Sequence, residues 1–150
     1  MQFFSARRRF GDLDEQEIIA LAISSEEDDA RIYRSYAEML RQDYPDSARI
    51  FDGMADEEDR HRQQLIDLHG ARYDTVIPLI RREHVAGYYA RRPVWLVQNL
   101  GIEQIRAEAE AMERQAEQFY LAAARRTRDA ATRKLLGDLA AAEAGHGHLA

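Results

Sequence analysis

At 150 residues the chain is sized for one domain with a core of its own, and 45% hydrophobic with 32% charged residues is an ordinary soluble composition. It contains no cysteine, which removes disulfides, thiolate catalysis, Cys-ligated zinc and iron–sulfur centres, and leaves any metal to His, Asp and Glu. A net charge of -6 argues against general nucleic-acid binding, and neither a secretory signal nor an apolar run near the roughly 20 residues that span a bilayer is present.

The first helix is expected to start at Asp14. Asp14 and Glu17 form the two halves of a capping box, and Leu13 with Ile18 forms a hydrophobic staple. An apolar stripe then runs Ile19, Ala22, Ile23, Ala30, Tyr33, Ala37 and Leu40 at helical spacing. Tyr44-Pro45-Asp46 ends this helix, with Asp46 as the expected cap of the next. The second helix carries Ile50, Phe51, Met54, Ala55, Leu65 and Leu68 on one face and is expected to stop at Gly70.

Residues 71 to about 100 are less regular. Ile77-Pro78 and Arg92-Pro93 break the pattern, and a short helix fits around Leu79–Tyr89. The stretch reads as a long crossover packed over the bundle. A third helix covers about Ile102 to Arg126. Asp129 can cap a fourth, whose inner face is Leu135, Leu136, Leu139 and Ala140. Four long helices with a long connection between the second and third make an all-α, ferritin-like four-helix bundle the expected fold. The arginines at Arg7, Arg8, Arg9, Arg81, Arg82, Arg91 and Arg92 fit a solvated surface, with phosphate or anionic lipid as alternative contacts.

The chemistry lies in acids that fall on apolar stripes. At about 100° per residue, Glu26 sits in the middle of the first helix's inner face. Glu58 lies in phase with Phe51, Met54 and Leu65, and His61 follows three residues later. Glu143 follows Leu136 and Leu139 in phase, with His146 again three residues on. Glu110, Glu113 and Glu117 line one face of the third helix with Ala107 and Leu121. A buried carboxylate without a partner costs several kcal/mol or protonates, and crowded carboxylates raise one another's pKa. Two divalent cations resolve that conflict. One Glu from each of two helices, plus Glu-x-x-His from the other two, is the donor set of di-iron carboxylate bundles. Tyr33 and Tyr36 could donate to ligands or pass electrons but fit packing better, and Met54 and Met112 fit packing better than soft-metal ligation. His69, His84 and His148 lack phased acidic partners and fit surface or core-edge positions.

With these residues assembled, the chain resembles the rubrerythrin/erythrin branch of the ferritin-like superfamily. The likeness is carried by Glu26 with Tyr33, Tyr36 and Ala37, by Ala55-Asp56-Glu57-Glu58-Asp59-Arg60-His61, by Glu110-x-x-Glu113, and by Ala142-Glu143-Ala144-Gly145-His146. Arg91-Arg92-Pro93-Val94-Trp95-Leu96-Val97 is similar to the erythrin–vacuolar iron transport fusions, or membrane-bound ferritins. The resemblance implies metal ligands Glu26, Glu58, His61, Glu110, Glu113, Glu143 and His146, with Glu26, Glu58, Glu113 and Glu143 carrying the chemistry. It implies two iron ions per site, with manganese or zinc as substitutes. The implied reaction is oxidation of ferrous iron by dioxygen or peroxide, a ferroxidase activity serving iron detoxification or export. The alternative is a non-catalytic iron sensor or chaperone that regulates an attached transporter, and a metal-free interaction bundle is a third reading. The resemblance further implies a homodimer, with Tyr88, Tyr89 and Trp95 as exposed apolar surface. It implies a cytoplasmic location, and a single domain over residues 1–150 followed by a membrane transport domain at the inner membrane. The Cys-rich electron-transfer domain of true rubrerythrins is absent from this sequence, so peroxidase turnover would need an outside donor. Glu117-Gln118-Phe119-Tyr120 also departs from the family's third-helix aromatic pattern.

Overall fold

The computed structural model describes residues 8–86 and 100–146, the side chains of Ala86 and His146 excepted. Arg7, Tyr88, Tyr89, the Arg91–Val97 motif with Trp95, and His148 therefore lie outside the described residues.

The chain enters through a two-residue strand, β1 (Arg8–Arg9), and one 3-10 turn over Phe10–Asp12. Helix α1 (Glu15–Leu40) starts on Asp14, whose carboxylate accepts from the Glu17 backbone N–H at 2.8 Å while Glu17 accepts from the Asp14 backbone N–H at 3.0 Å. Two of the N–H groups that a helix start leaves without partners are thus satisfied. Leu13 and Ile18 are both buried in the same apolar cluster. Arg126 donates to the carbonyls of Phe10 at 2.7 Å and Leu13 at 3.0 Å, which ties this entry segment to the far end of the third helix.

Helix α2 (Pro45–Arg72) follows after a short turn. Its cap is Tyr44 and Pro45 is its first residue, so Asp46 lies inside the first turn rather than capping it. Proline at that position gives up no hydrogen bond, because the first N–H groups of a helix have no acceptor within it. Gly70 does not stop α2, which runs two residues further. The end is fixed by His69, which is fully buried, contacts the Asp74 carbonyl through Nδ1 at 2.8 Å and packs its ring on Tyr73. Of the surface or core-edge positions expected for it, His69 therefore takes the buried one and anchors a helix end. Ile50, read as inward-facing, is 38% exposed.

No α-helix forms over 79–86. One 3-10 turn (Arg82–His84) leads into β2 (Val85–Ala86), which pairs in parallel with β1. This strap crosses α1. The Ser24 hydroxyl donates to the Ile80 carbonyl at 2.6 Å, Arg81 pairs with Asp28 at 2.6 Å, and the buried Arg82 pairs with Asp29 at 2.9 Å. Helix α3 (Ile102–Arg125) and helix α4 (Ala130–His146) complete the bundle. Asp129 caps α4 by accepting from the Thr132 backbone at 2.9 Å and its hydroxyl at 2.8 Å. The fold is the expected all-α four-helix bundle, with α1 packed mainly on α2 and α3 mainly on α4. No helix among the described residues is long and apolar enough to cross a membrane.

The core is divided. One apolar cluster gathers Ile19, Ile23, Leu65, Phe119, Leu136 and Leu139. The other gathers Tyr33, Ala37, Phe51, Met54, Ile105 and Met112. Each fully buried Leu, Ile or Phe contributes roughly 1.5–3 kcal/mol, so both clusters hold the helices at fixed separation. In chain order Glu26 lies between Ile23 of the first cluster and Ala30 of the second. Glu58 and His61 likewise lie between Ala55 of the second and Leu65 of the first. The helices thus carry charge through the middle of the bundle.

Candidate metal centre

Glu26 of α1, Glu58 and His61 of α2, and Glu143 of α4 meet in this layer. One donor atom from each lies within 4.8 Å of the others, and all four side chains are buried. His61 turns Nδ1 inward, 3.6 Å from Glu143 Oε1 and 3.8 Å from Glu26 Oε2. Its other nitrogen, Nε2, faces Glu57 Oε1 at 3.5 Å. The spacing explains the convergence. Glu58 and His61 are three residues apart, so both fall on one face of α2, and α1 and α4 present Glu26 and Glu143 toward it.

Two tyrosines hold the carboxylates from behind. The Tyr120 hydroxyl donates to Glu26 Oε1, and the Tyr33 hydroxyl donates to Glu113 Oε1. Glu113 is buried beside the cluster but is not one of the four convergent groups. Tyr36, also buried, donates to Glu108 at 3.1 Å. Met54 and Met112 are core residues. Tyr120 was not legible as a ligand holder, because the aromatic pattern around it departs from the expected one. The available signal was its seven-residue offset from Glu113, two helical turns along the same buried face.

Glu110 is not brought to the site. Its side chain is 62% exposed and faces Arg114 at 3.9 Å. The face assigned from Ala107, Glu110, Glu117 and Leu121 is tilted toward solvent, since Ala107 is exposed and Leu121 is 43% exposed. The buried face of α3 is instead Ile105, Ala109, Met112, Ala116, Phe119, Tyr120 and Ala123, with Glu113 on its edge. Glu110 lies about 60° further round than Glu113. Glu117 is only half-buried. The side chain of His146, the last residue of α4, lies outside the described residues.

The electrostatics show a site with surplus negative charge. Burial raises Glu26, and the neighbouring Glu143 adds to the shift. Burial, then repulsion from Glu26 and Glu143, lifts Glu58 well above the usual carboxylate range. Burial opposes charging of His61, but Glu143 and Glu26 outweigh it and raise the imidazole to about 9. Tyr33 and Tyr120 are pushed well up by burial and the adjoining carboxylates, so both remain hydrogen-bond donors. Three carboxylates and one imidazole share a space with little solvent, and among the described residues Glu26 Oε2 is buried with no hydrogen-bond partner. Carboxylate oxygen and imidazole nitrogen suit iron, manganese or zinc. The residues present fit a divalent metal centre, which would neutralise the excess charge and give Glu26 Oε2 a partner.

A family model described as Rubrerythrin matches residues 17–150. No curated protein matches the chain. Among solved structures, a hypothetical protein from Pyrococcus furiosus is similar, with a TM-score of 0.73 at 23% identity over 93% of this chain and 87% of that one. At that identity the likeness is one of fold.

Proposed function

The chain belongs to the rubrerythrin family of di-iron carboxylate proteins, and on that premise we propose that it oxidises ferrous iron with dioxygen or peroxide at the Glu26–Glu58–His61–Glu143 centre. The observation that carries the reading is the convergence of these four buried groups within 4.8 Å in a member of a di-iron carboxylate family. Glu113 is the neighbouring carboxylate placed to complete the set. Bound iron would supply one-electron redox chemistry, which no side chain in the cluster can perform.

The protein's own contribution is charge, orientation and dryness. Burial leaves Glu26 and Glu58 reluctant to ionise, so an incoming cation exchanges for protons and binding is coupled to their release. Tyr120 orients Glu26 and Tyr33 orients Glu113 by hydrogen bonds from behind, which fixes the direction in which each carboxylate meets a ligand. The apolar clusters above and below exclude water, so each charged interaction in the layer is stronger than it would be at the surface. Ferrous iron is the substrate and leaves as the ferric ion. In a longer protein the same step would prepare iron for a transport partner.

The test is an anaerobic ferrous titration of metal-free protein, followed by an oxygen pulse read by absorbance and an oxygen electrode, with Glu58→Ala/Glu143→Ala beside wild type. Two ferrous ions per chain, and rapid oxidation lost in the double variant, are expected. Saturable binding without faster oxidation would assign a sensing or chaperone role instead. Absence of saturable binding in wild type would remove the metal reading.

A further inference from the structure

The His61 ring spans the wall of the site. Nδ1 faces the buried carboxylates of Glu26 and Glu143, while Nε2 faces Glu57 Oε1 at 3.5 Å. Glu57 stands one turn before His61 on α2, and its side chain is 31% exposed. A neutral imidazole carries its proton on one nitrogen only, and a metal can take only the other. A carboxylate placed against the outer nitrogen selects the tautomer whose inner nitrogen has its lone pair free, and it restrains rotation of the ring.

We propose that Glu57 is a positioning residue for the metal centre: its carboxylate accepts the Nε2–H of His61, so that Nδ1 is the nitrogen left for the ion. The assignment rests on the metal reading above and adds an outer partner to it. The i, i+4 spacing on one helix makes the pair local, so its geometry does not wait on the docking of α3 or α4. Glu57 and Glu58 divide the work of adjacent positions. About 100° apart on the helix, one faces the ion and the other faces the ring that holds the ion.

Zinc is the appropriate probe because it is diamagnetic and does not turn over. Zinc affinity is measured by chelator competition for wild type, Glu57→Ala and Glu57→Gln, with the His61 ring N–H followed by 15N-edited NMR in the zinc-loaded proteins. Glu57→Ala is expected to weaken zinc about 10–100-fold, with the His61 Nε2–H signal lost to solvent exchange. Glu57→Gln keeps an acceptor oxygen without the charge and should recover most of the affinity and the signal. Thermal melts of the metal-free proteins should coincide, since Glu57 lies at the edge of the bundle. If Glu57→Ala binds zinc like wild type with its ring N–H unchanged, the proposal fails while the metal centre stands. If Glu57→Gln falls as far as Glu57→Ala, the effect is bulk charge and the positioning role is overturned. If wild type binds no zinc and no ferrous iron, the metal reading fails and the proposal with it.

Discussion

Asp29 and Glu26 stand about one turn apart on α1, both nearly shut off from solvent, and the protein treats them in opposite ways. Asp29 meets the guanidinium of Arg82 at 2.9 Å, a cation brought in by the crossover strap. Glu26 meets two more carboxylates, one imidazole and one phenol. The first group carries its own counter-charge inside the fold. The second is short of cations, so burial raises Glu26 and lifts Glu58 well above its ordinary range. A structural ion pair neutralises itself, whereas a binding site keeps its imbalance for the ligand. Perturbed carboxylates clustered around one point therefore mark function more sharply than burial of charge alone.

The largest effect should come from breaking the self-neutralised pair. Arg82→Met leaves Asp29 buried without its cation and should cost roughly 3–5 kcal/mol, whereas Arg82→Met/Asp29→Leu should recover most of that loss. Urea denaturation of the two variants checks this, and equal losses in both would show that the strap is held by other contacts.

The metal site should respond to pH in its own direction. His61 has its folded pKa raised from 6.5 to about 9. Its contribution to metal-free stability is therefore complete below about 6.5 and is lost as pH rises through about 9. Glu26 and Glu58, also raised, act with the same sign from their unfolded range upward. The melting temperature of metal-free protein should fall across this window, and saturating zinc should flatten or reverse the slope. In the same vein, Glu58→Gln should raise metal-free stability at pH 8 while abolishing tight metal binding, the trade expected of a strained site.

A smaller effect is expected at the layer behind the ligands. Tyr120→Phe removes the hydrogen bond to Glu26 and should cost about 1.5–3 kcal/mol, the range for a bond to a charged group. Chemical denaturation of the metal-loaded protein reads it. The smallest effect is at Glu110. Glu110→Ala, on the solvent side of α3, should change stability by no more than about 0.5 kcal/mol, with zinc affinity unchanged. A large loss of zinc affinity there would bring Glu110 back as a ligand.

The sequence shows the parts of the site governed by local periodicity. Asp14 with Glu17 announced the start of α1, and Glu58-x-x-His61 announced its own face, because both patterns are complete within one or two turns. The third helix was harder. Alanine is small enough to sit on either side, so Ala107 set the wrong phase, and Glu110 was placed one step too far inward. The strap was illegible for a different reason. Residues 79–86 have no helical or alternating period, so nothing separated Arg82, which is buried, from Arg81, which is 30% exposed. The pairing of Arg82 with Asp29 and of β1 with β2 depends on contacts between segments far apart in the chain, and local pattern does not encode those. Tyr120 combines both difficulties: it sits on the misphased third helix, and its acceptor Glu26 is on another helix.

The packing of α1 on α2 and of α3 on α4 also divides the donors between two helical hairpins. Glu26, Glu58 and His61 all belong to the first helical hairpin, so three of the four donors leave the ribosome before any of the second hairpin is made. While that half stands open, water solvates its carboxylates and no desolvation cost arises. The cost appears only when α4 closes over them with Glu143. At that moment the cluster must hold either protons or a divalent cation, so the docking of the two hairpins, and not the formation of either one, is the step at which metal binding and folding are coupled.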